Sequence, residues 1–424
     1  MAKKKSTAAH PSKRVTAGEN GTLVLDQPQF AQPTTSADPK TFTVAHGNDN
    51  PLYKLVQKNL LQAIPNPAPG ANLTMTLASA LGESGASTVA AIEKAGQIVF
   101  HSLGDSGSTQ GPSTQSLVAD KLTQDFSDPA AADRPQFLFH LGDLVYSFGE
   151  AKYYYDQFYE PYRNYPAPIF AVAGNHDGLV YSNEGVPSLE AFLRNFVSAQ
   201  LVKTPESGGL IRTAMTQPAV YFALDAPFVT IIGLYSNVLE DPGVISSEGN
   251  SHSPVDDQQI AFLTSALQQA RKKGGATIVV THHPPYSGGN NHGGSPRMLA
   301  DVDAACEKAG YWPHAHLSGH AHNYQRFTRT VKNYDIPYVV CGNGGHSPLA
   351  KIKSSGSGAL RAPLKINDVL IFENYDDTDF GYLRIVVDAK QMRIEFHDAA
   401  AGEHNKSPSD AVTVDLASHT MISN

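Results

Sequence analysis

The chain has very little cysteine and no long apolar run. Only Cys306 and Cys341 occur among its 424 residues, so at most one disulfide bond can form and no disulfide framework supports the fold. No apolar stretch approaches the roughly 20 residues that an α-helix needs to span a bilayer. Hydrophobic residues still make up 41% of the chain, enough for a large buried core. These features exclude an integral membrane protein and a wholly disordered chain.

The chain is also poor in positive charge. Lys and Arg number 32 against 40 for Asp and Glu, which gives a net charge of −8. General nucleic-acid binders depend on neutralising phosphates, so we expect no nucleic-acid partner, and we expect no membrane partner either. The 17 histidines are more informative, because they fall in clusters.

The N-terminal region is basic and polar. Five Lys and Arg residues lie in the first fourteen, and no apolar stretch of the length found in secretion signals follows them. We interpret residues 1–45 as a disordered tail and expect a cytoplasmic location. Helical spacing of apolar residues predicts that residues 46–96 form a helical segment packed on the core. Residues 401–424 are predicted to be a polar tail or a sheet edge.

Apolar strands alternate with helical stretches from residue 97, which predicts one α/β catalytic domain over residues 97–400. The earlier strands are continuous apolar runs separated by helices, a pattern typical of parallel strands buried on both faces. We therefore predict two packed sheets with helices outside. The predicted strands are 97–103, 136–141, 168–173, 228–234, 276–281, 336–341, 369–373, 382–387 and 392–396. The predicted helices are 115–126, 151–159, 188–196, 254–272 and 296–308.

Possible metal ligands follow four of these strands and a further short strand predicted at 314–317. Loops at the carboxyl ends of strands are where α/β folds assemble their sites. Glycine beside most of these residues allows sharp turns and close approach of the backbone. The candidate ligands are Asp105, Asp143, Tyr146, Asn175, His282, His320 and His322.

These seven side chains form a mixed set of oxygen and nitrogen donors, which suits iron, manganese or zinc. No thiolate lies among them, which argues against an iron–sulfur or structural zinc centre. Seven ligands are more than one four-coordinate ion needs. If one carboxylate bridges, they fill two adjacent sites, the arrangement that clamps the attacking and leaving oxygens in phosphoryl displacement.

Five sequence blocks carry a resemblance to a known family. Gly-Asp-x-Gly, Gly-Asp-x-x-Tyr, Gly-Asn-His-Asp, Val-x-x-His and Gly-His-x-His, in this order, resemble those of the purple acid phosphatases, a branch of the calcineurin-like metallophosphoesterase superfamily. The resemblance covers about residues 97–330 and implies a four-layer αββα sandwich of two mixed sheets with flanking helices. Most of the superfamily begins with Asp-x-His. Here Gly107 takes the place of that histidine, and Tyr146 lies three residues after Asp143, as in the purple phosphatases.

The resemblance also implies a division of the ligands between two metal ions. Asp105, Asp143, Tyr146 and His322 would hold the first ion, and the bridging Asp143 with Asn175, His282 and His320 would hold the second. A phenol has an ordinary pKa near 10 and binds as phenolate only beside a strong Lewis acid. We therefore expect Fe(III) at the first site and Fe, Zn or Mn at the second. The implied reaction is hydrolysis of a phosphate monoester, with a metal-bound hydroxide attacking phosphorus.

The resemblance implies catalytic roles for three further histidines. His176 matches an outer-sphere histidine that contacts the phosphate or protonates the leaving group. His292, in a glycine-rich loop, lies near the position of a second catalytic histidine. His283 matches a position that contacts substrate, and a purely structural role fits it equally well. The expected substrate is a phosphorylated small molecule or a nucleotide.

The remaining histidines have simpler interpretations. We expect His101 and His140 to be core histidines and His314 and His316 to be strand residues flanking the site. His346 follows a strand and could reach the site, but we prefer a surface imidazole at a glycine turn. Two other functions stay open. One is a phosphodiesterase or nucleotide pyrophosphatase on the same metal centre, and the other is an inactive metal- or phosphate-binding module.

Overall fold

The computed structural model describes residues 65–179, 186–236, 243–246, 256–353, 360–400 and 407–422. The predicted tail over residues 1–45 and the part of the helical segment before residue 65 lie outside this range. Within it, two mixed sheets pack together with helices on their outer sides, which confirms the predicted fold class. No helix in the described ranges is long and apolar enough to cross a bilayer.

One sheet has nine strands among the described residues, in the order β1-β5-β6-β7-β8-β10-β9-β12-β11. The strands β6, β7, β8 and β10 run parallel, as their continuous apolar sequences predict. The bounds are β1 Thr74–Thr76, β5 Phe222–Ala226, β6 Val229–Gly233, β7 Ala276–Val280, β8 Ala315–Ser318, β9 Tyr324–Val331, β10 Tyr334–Cys341, β11 Leu364–Asn367 and β12 Leu370–Asp376.

The other sheet has seven described strands, in the order β16-β15-β14-β13-β2-β3-β4. One end of this sheet is parallel, since β2 pairs with β3 and β3 with β4 in the same direction, and the other pairs are antiparallel. The bounds are β2 Gln97–Leu103, β3 Leu138–His140, β4 Ile169–Ala171, β13 Gly381–Asp388, β14 Gln391–Asp398, β15 Asp410–Asp415 and β16 Thr420–Ile422.

The α-helices cover the outer faces of the sandwich. In the described ranges they are α1 Leu77–Ala80, α2 Gly85–Ala95, α3 Ser113–Gln124, α4 Asn175–Gly178, α5 Glu190–Phe196, α6 Gln258–Lys273 and α7 Pro296–Ala309. Leu263 and Leu267 of α6 and Met298 of α7 are fully buried in a core with Ile232 and Val279 of the nine-stranded sheet. On the other side, α2 contacts β2 and α3 contacts β13.

A larger core lies between the sheets. Phe139 on β3 and Phe222 on β5 belong to different sheets, yet their rings stack with centroids 5.9 Å apart. Burial of apolar surface stabilises such an interface by about 25 cal/mol per Å². The packing fixes one sheet against the other, and this brings the carboxyl ends of strands from both sheets together.

Three features differ from the sequence-based expectations. Residues 151–159 do not form an α-helix: a 3₁₀ turn at Ala151–Tyr153 is followed by a π-helix at Tyr155–Tyr159. Of the two expectations for the region beyond residue 400, the polar tail is wrong and the sheet edge is confirmed, because β15 and β16 form one end of the seven-stranded sheet. The strand predicted at 369–373 forms β12, and it pairs with β9 of the nine-stranded sheet, which is not among the predicted strands.

Candidate metal centre

All seven predicted ligands lie at one edge of the sandwich. Asp105, Asp143 and Asn175 follow the neighbouring parallel strands β2, β3 and β4 of one sheet. His282 follows β7 and His320 follows β8, which are parallel neighbours in the other sheet. Strands that run parallel end at the same edge, so their loops meet there. Tyr146 and His322 lie in the same loops as Asp143 and His320.

One group of ligands surrounds the phenol of Tyr146. Its oxygen lies 2.9 Å from Oδ1 of Asp105, 2.9 Å from Oδ2 of Asp143 and 3.2 Å from Nε2 of His322. The phenol is almost fully buried, whereas 15% of the His322 side chain is exposed. His322 therefore lies where the group opens toward solvent.

A second group surrounds the side-chain oxygen of Asn175. This oxygen lies 3.0 Å from Nε2 of His282 and 3.0 Å from Nδ1 of His320. Asp143 joins the two groups, because its Oδ2 contacts Tyr146 and also lies 3.3 Å from Nε2 of His282. Ligand atoms of Asp143, His282 and His320 all lie within 4.8 Å of one another, a spacing that one ion can bridge.

The donor atoms in the second group fit a cation. The imidazole Nδ1–H of His282 donates to the carbonyl of Leu141 at 2.8 Å, so in the neutral ring Nε2 carries a lone pair that faces the oxygen of Asn175. Burial opposes a positive charge on this ring, but Asp143 outweighs it and raises the pKa of His282 to about 9. Without metal, the ring of His282 is therefore protonated near pH 7, and this proton supplies the positive charge that a metal ion would otherwise provide. A backbone bond that fixes the tautomer is typical of metal-binding histidines.

The first group fits a cation for a related reason. The phenol of Tyr146 has one proton, yet two carboxylate oxygens lie at equal distance from its oxygen. Burial and the nearby charge of Asp105 raise the pKa of Tyr146 well above its ordinary value, so the metal-free phenol keeps its proton. A strongly Lewis-acidic ion reverses this preference by binding the phenolate.

The backbone at the ligands takes conformations that most residues avoid. Asp105, Asp143 and His320 have φ values of 57°, 55° and 68° in the left-handed region, where non-glycine residues are uncommon and often mark functional sites. At Gly107 an added Cβ would lie 2.6 Å from the carbonyl oxygen of Leu144. Position 107 therefore has no room for a side chain.

The three predicted catalytic histidines all lie beside the ligands. His176 donates its backbone N–H to Oδ1 of Asp143 at 2.9 Å, and its Nδ1 lies 2.7 Å from the carbonyl of Ser147. The rings of His283 and His292 lie 4.2 Å and 4.3 Å from the ring of His320.

The environments of His283 and His292 differ. His283 is fully buried and its Nδ1 lies 3.0 Å from Oγ of Ser236. His292 is partly exposed, and its Nδ1 has no hydrogen-bond partner among the described residues. Burial lowers the pKa of His292 to about 3, so the ring is neutral near pH 7.

The expectation for His346 was wrong. Its ring is 95% buried and stacks on Tyr146, with centroids 3.8 Å apart and planes 27° from parallel. Its backbone N–H donates to the carbonyl of Asp105 at 2.9 Å. The glycine-rich stretch after β10 turns back toward the site, which is the alternative that the position of His346 after a strand had left open.

The other histidines mostly agree with expectation. His101 and His140 are fully buried core histidines, which confirms that prediction. His101 pairs with Oδ2 of Asp125 at 2.9 Å, and His140 lies 2.9 Å from Oγ of Ser106 in the loop of the first ligand block. His316 lies on β8, and His314 immediately precedes that strand.

Comparison with protein families identifies the chain. The calcineurin-like phosphoesterase family model matches residues 113–324, half of the sequence. The chain belongs to the calcineurin-like phosphoesterase family. The matched region of this phosphoesterase includes six of the seven candidate ligands, all except Asp105. Among curated protein sequences no match is found.

Solved structures that are similar to this phosphoesterase have low sequence identity to it. GAP50, described as the anchor in the inner membrane complex of Plasmodium, is 18% identical with a TM-score of 0.50, over 76% of this chain and 88% of that one. Purple acid phosphatase PPD1 from yellow lupin (Lupinus luteus) seeds is 20% identical with a TM-score of 0.49, over 75% of this chain. The match covers 54% of the lupin protein, about half its length. A dimetal phosphatase from Danio rerio is 12% identical with a TM-score of 0.43, over 75% of this chain and 99% of that one.

Proposed function

We propose that this protein is a dinuclear-metal hydrolase of phosphate monoesters, similar to the purple acid phosphatases. The observation that carries the proposal is the position of Tyr146. Its phenol oxygen lies between the carboxylates of Asp105 and Asp143, while Gly107 leaves no space for the histidine that other members of the superfamily use. The presence of this tyrosine and the absence of the histidine distinguish the purple acid phosphatase branch from most of the superfamily.

The ligands divide between two ions as the resemblance implies. The proposed first ion is Fe(III), held by Asp105, Asp143, Tyr146 and His322. The proposed second ion is Fe, Zn or Mn, held by Asp143, Asn175, His282 and His320. When bound, such a pair supplies Lewis acidity toward the ester and lowers the pKa of a bound water from 15.7 to about 7.

The surrounding histidines bind the phosphate group and move protons. We assign to His176 contact with the phosphate or protonation of the leaving group, because its backbone is bonded to Asp143 and its ring lies 4.3 Å from that of Tyr146. We assign contact with the phosphate to the partly exposed His292, whose ring is neutral near pH 7. The fully buried His283, bonded to Ser236, is better suited to holding the ring of His320 in place.

The proposed substrate is a phosphorylated small molecule or a nucleotide, and the test compares two model substrates. Purified protein should hydrolyse p-nitrophenyl phosphate faster than bis(p-nitrophenyl) phosphate. His320→Ala should lower the monoesterase rate by at least about 100-fold, the upper end of what loss of an outer-sphere partner costs. The control is His314→Ala, a buried histidine whose Nδ1 accepts the N–H of Thr277 at 3.0 Å.

Each other result favours a different function. Faster hydrolysis of the diester favours a phosphodiesterase or nucleotide pyrophosphatase. Two bound metal ions without turnover of either ester favour an inactive binding module. Equal activity in His320→Ala and the wild type contradicts the assigned metal centre itself.

A further inference from the structure

Gln157 holds the backbone of Tyr146 at two points. Its side-chain oxygen accepts the N–H of Tyr146 at 2.9 Å, and its side-chain nitrogen donates to the carbonyl of the same residue at 2.8 Å. Gln157 is 1% exposed, so water does not compete for these bonds. One amide thus satisfies both backbone groups of Tyr146, which lies outside the helices and strands.

The segment that carries Gln157 is itself unusual. The π-helix Tyr155–Tyr159 contains a wide turn in which the N–H of Glu160 donates to the carbonyl of Tyr155 at 2.8 Å. Such turns are rare and occur frequently at functional sites. The carbonyl of Gln157 accepts a further bond from the buried side chain of Gln115. The side-chain oxygen of Gln157 would lie 2.8 Å from a Cβ at position 107, so the amide occupies space that Gly107 leaves open.

The ring of Tyr146 is held on both faces. His346 stacks on it at 3.8 Å, and the ring of His176 lies at 4.3 Å with a tilt of 37°. Two rings this close and this nearly parallel to the phenol do not fit on one face, so they lie on opposite faces. His346 is fixed in turn, because its Nδ1 lies 3.0 Å from the carbonyl of Gly107 and donates to it.

We propose that Gln157 and His346 are positioning residues that fix the phenol of Tyr146 at the first-metal site. This inference rests on the proposed function, in which Tyr146 is a metal ligand. Gln157 sets the position of the Tyr146 backbone, and His346 restricts rotation of its ring. Each also lies against position 107, since the Gln157 amide occupies space beside Gly107 and His346 donates to its carbonyl. The absence of a histidine side chain at position 107 therefore leaves room for the groups that support Tyr146. Outer-sphere partners that orient a ligand typically change metal affinity by about 10- to 100-fold.

The test of Gln157 has a matched control. Gln217 forms the same pair of bonds with the backbone of Ala171, at 2.8 Å and 2.9 Å, and is 2% exposed. Gln157→Leu should weaken first-metal affinity by about 10- to 100-fold in competition with a chelator. It should also shift or weaken the visible band of the ferric tyrosinate. Gln217→Leu removes two equivalent bonds on β4 and should leave both properties unchanged.

The test of His346 uses a graded pair of variants. His346→Leu removes the ring and the bond to Gly107, and should shift the band. His346→Phe restores an aromatic face without the hydrogen bond, and should return the band part of the way to its wild-type position. His397→Leu is the control, because His397 is also a buried ring stacked on a tyrosine, Tyr382, with planes 15° apart.

The outcomes separate this inference from the proposed function. If the wild type has a band that Tyr146→Phe removes, but Gln157→Leu and His346→Leu keep the wild-type band and affinity, only the inference is wrong. The same holds if Gln217→Leu lowers metal affinity as much as Gln157→Leu does. If Gln157→Leu does not fold, Gln157→Glu is measured instead, since it keeps an acceptor for the N–H but loses the donor to the carbonyl. A wild type without a band that depends on Tyr146 overturns both proposals.

Discussion

The carboxylate of Asp177 accepts the backbone N–H of Asp143 at 2.9 Å. The same side chain accepts the N–H groups of Gly174 at 2.7 Å and Leu144 at 3.0 Å. Asp177 is fully buried. One carboxylate thus joins the loop after β3 to the loop after β4, and it determines where Asp143, the proposed bridging ligand, stands relative to Asn175.

Replacing Asp177 by asparagine should impair both metal binding and folding. An asparagine keeps one acceptor oxygen but turns its NH₂ group toward backbone N–H donors, which costs about 1–3 kcal/mol of unfolding free energy. We expect metal affinity to fall by about 10- to 100-fold, measured by chelator competition alongside urea unfolding. Asp388→Asn is the control, because Asp388 also accepts two backbone N–H bonds, from Lys390 and Gln391, at the turn between β13 and β14. Full metal affinity in Asp177→Asn would show that Asp177 does not position Asp143.

Gly107→Ala tests whether the space beside Tyr146 is too small for an added methyl group. An added Cβ would meet the carbonyl oxygen of Leu144 at 2.6 Å and the amide oxygen of Gln157 at 2.8 Å. We expect a loss of about 1–3 kcal/mol in unfolding free energy, measured by urea denaturation. At Gly209 nothing lies within 4 Å of an added Cβ, so Gly209→Ala should leave stability nearly unchanged. A Gly107→Ala protein as stable as the wild type would contradict the crowding described here.

Asp156 should make stability depend on pH. Its Oδ1 has no partner among the described residues, and burial raises the pKa of this carboxyl to about 7. The folded protein therefore binds this proton more tightly than the unfolded chain, whose pKa is near 3.8. This contribution to stability is present below about pH 4 and is lost as the pH rises through 7.

Asp156→Asn removes that pH dependence. The unfolding free energy of Asp156→Asn minus that of the wild type should increase between pH 4 and pH 8, by at most about 4 kcal/mol. Urea unfolding at several pH values measures this difference. The exposed Asp120 provides the control variant Asp120→Asn, for which no such growth is expected. A difference between Asp156→Asn and the wild type that is the same at every pH would contradict the assigned cause.

The meeting of the candidate ligands at one edge of the sheets could be predicted from the sequence, because most of them follow a strand that is recognisable by itself. Gln97–Leu103 is a continuous apolar run, and β2 has these bounds in the structure. Asp105 follows the end of this strand, so the local apolar pattern alone predicts where this candidate ligand lies. The same holds for Asp143 after β3 and His282 after β7. Parallel pairing then brings these loops together without further information from the sequence.

The supports of Tyr146 could not be predicted, because their roles depend on distant contacts. Gln157 lies in an aromatic run that resembles an α-helix, and only the π-helix directs its amide toward Tyr146. His346 follows a glycine-rich stretch typical of a surface turn, yet it reaches a residue 200 positions earlier in the sequence. The strand β9, Tyr324–Val331, was missed because polar and apolar residues are mixed along it.

The visible absorption spectrum of the purified wild type, recorded beside Tyr146→Phe with metal analysis of both, tests the central claim most directly. The claim is that Tyr146 binds a ferric ion that shares Asp143 with a second metal ion. We predict two metal ions per wild-type chain, at least one of them iron, and a charge-transfer band in the green region that is absent from Tyr146→Phe. A colourless wild-type protein that is fully active with zinc or manganese alone would contradict the claim.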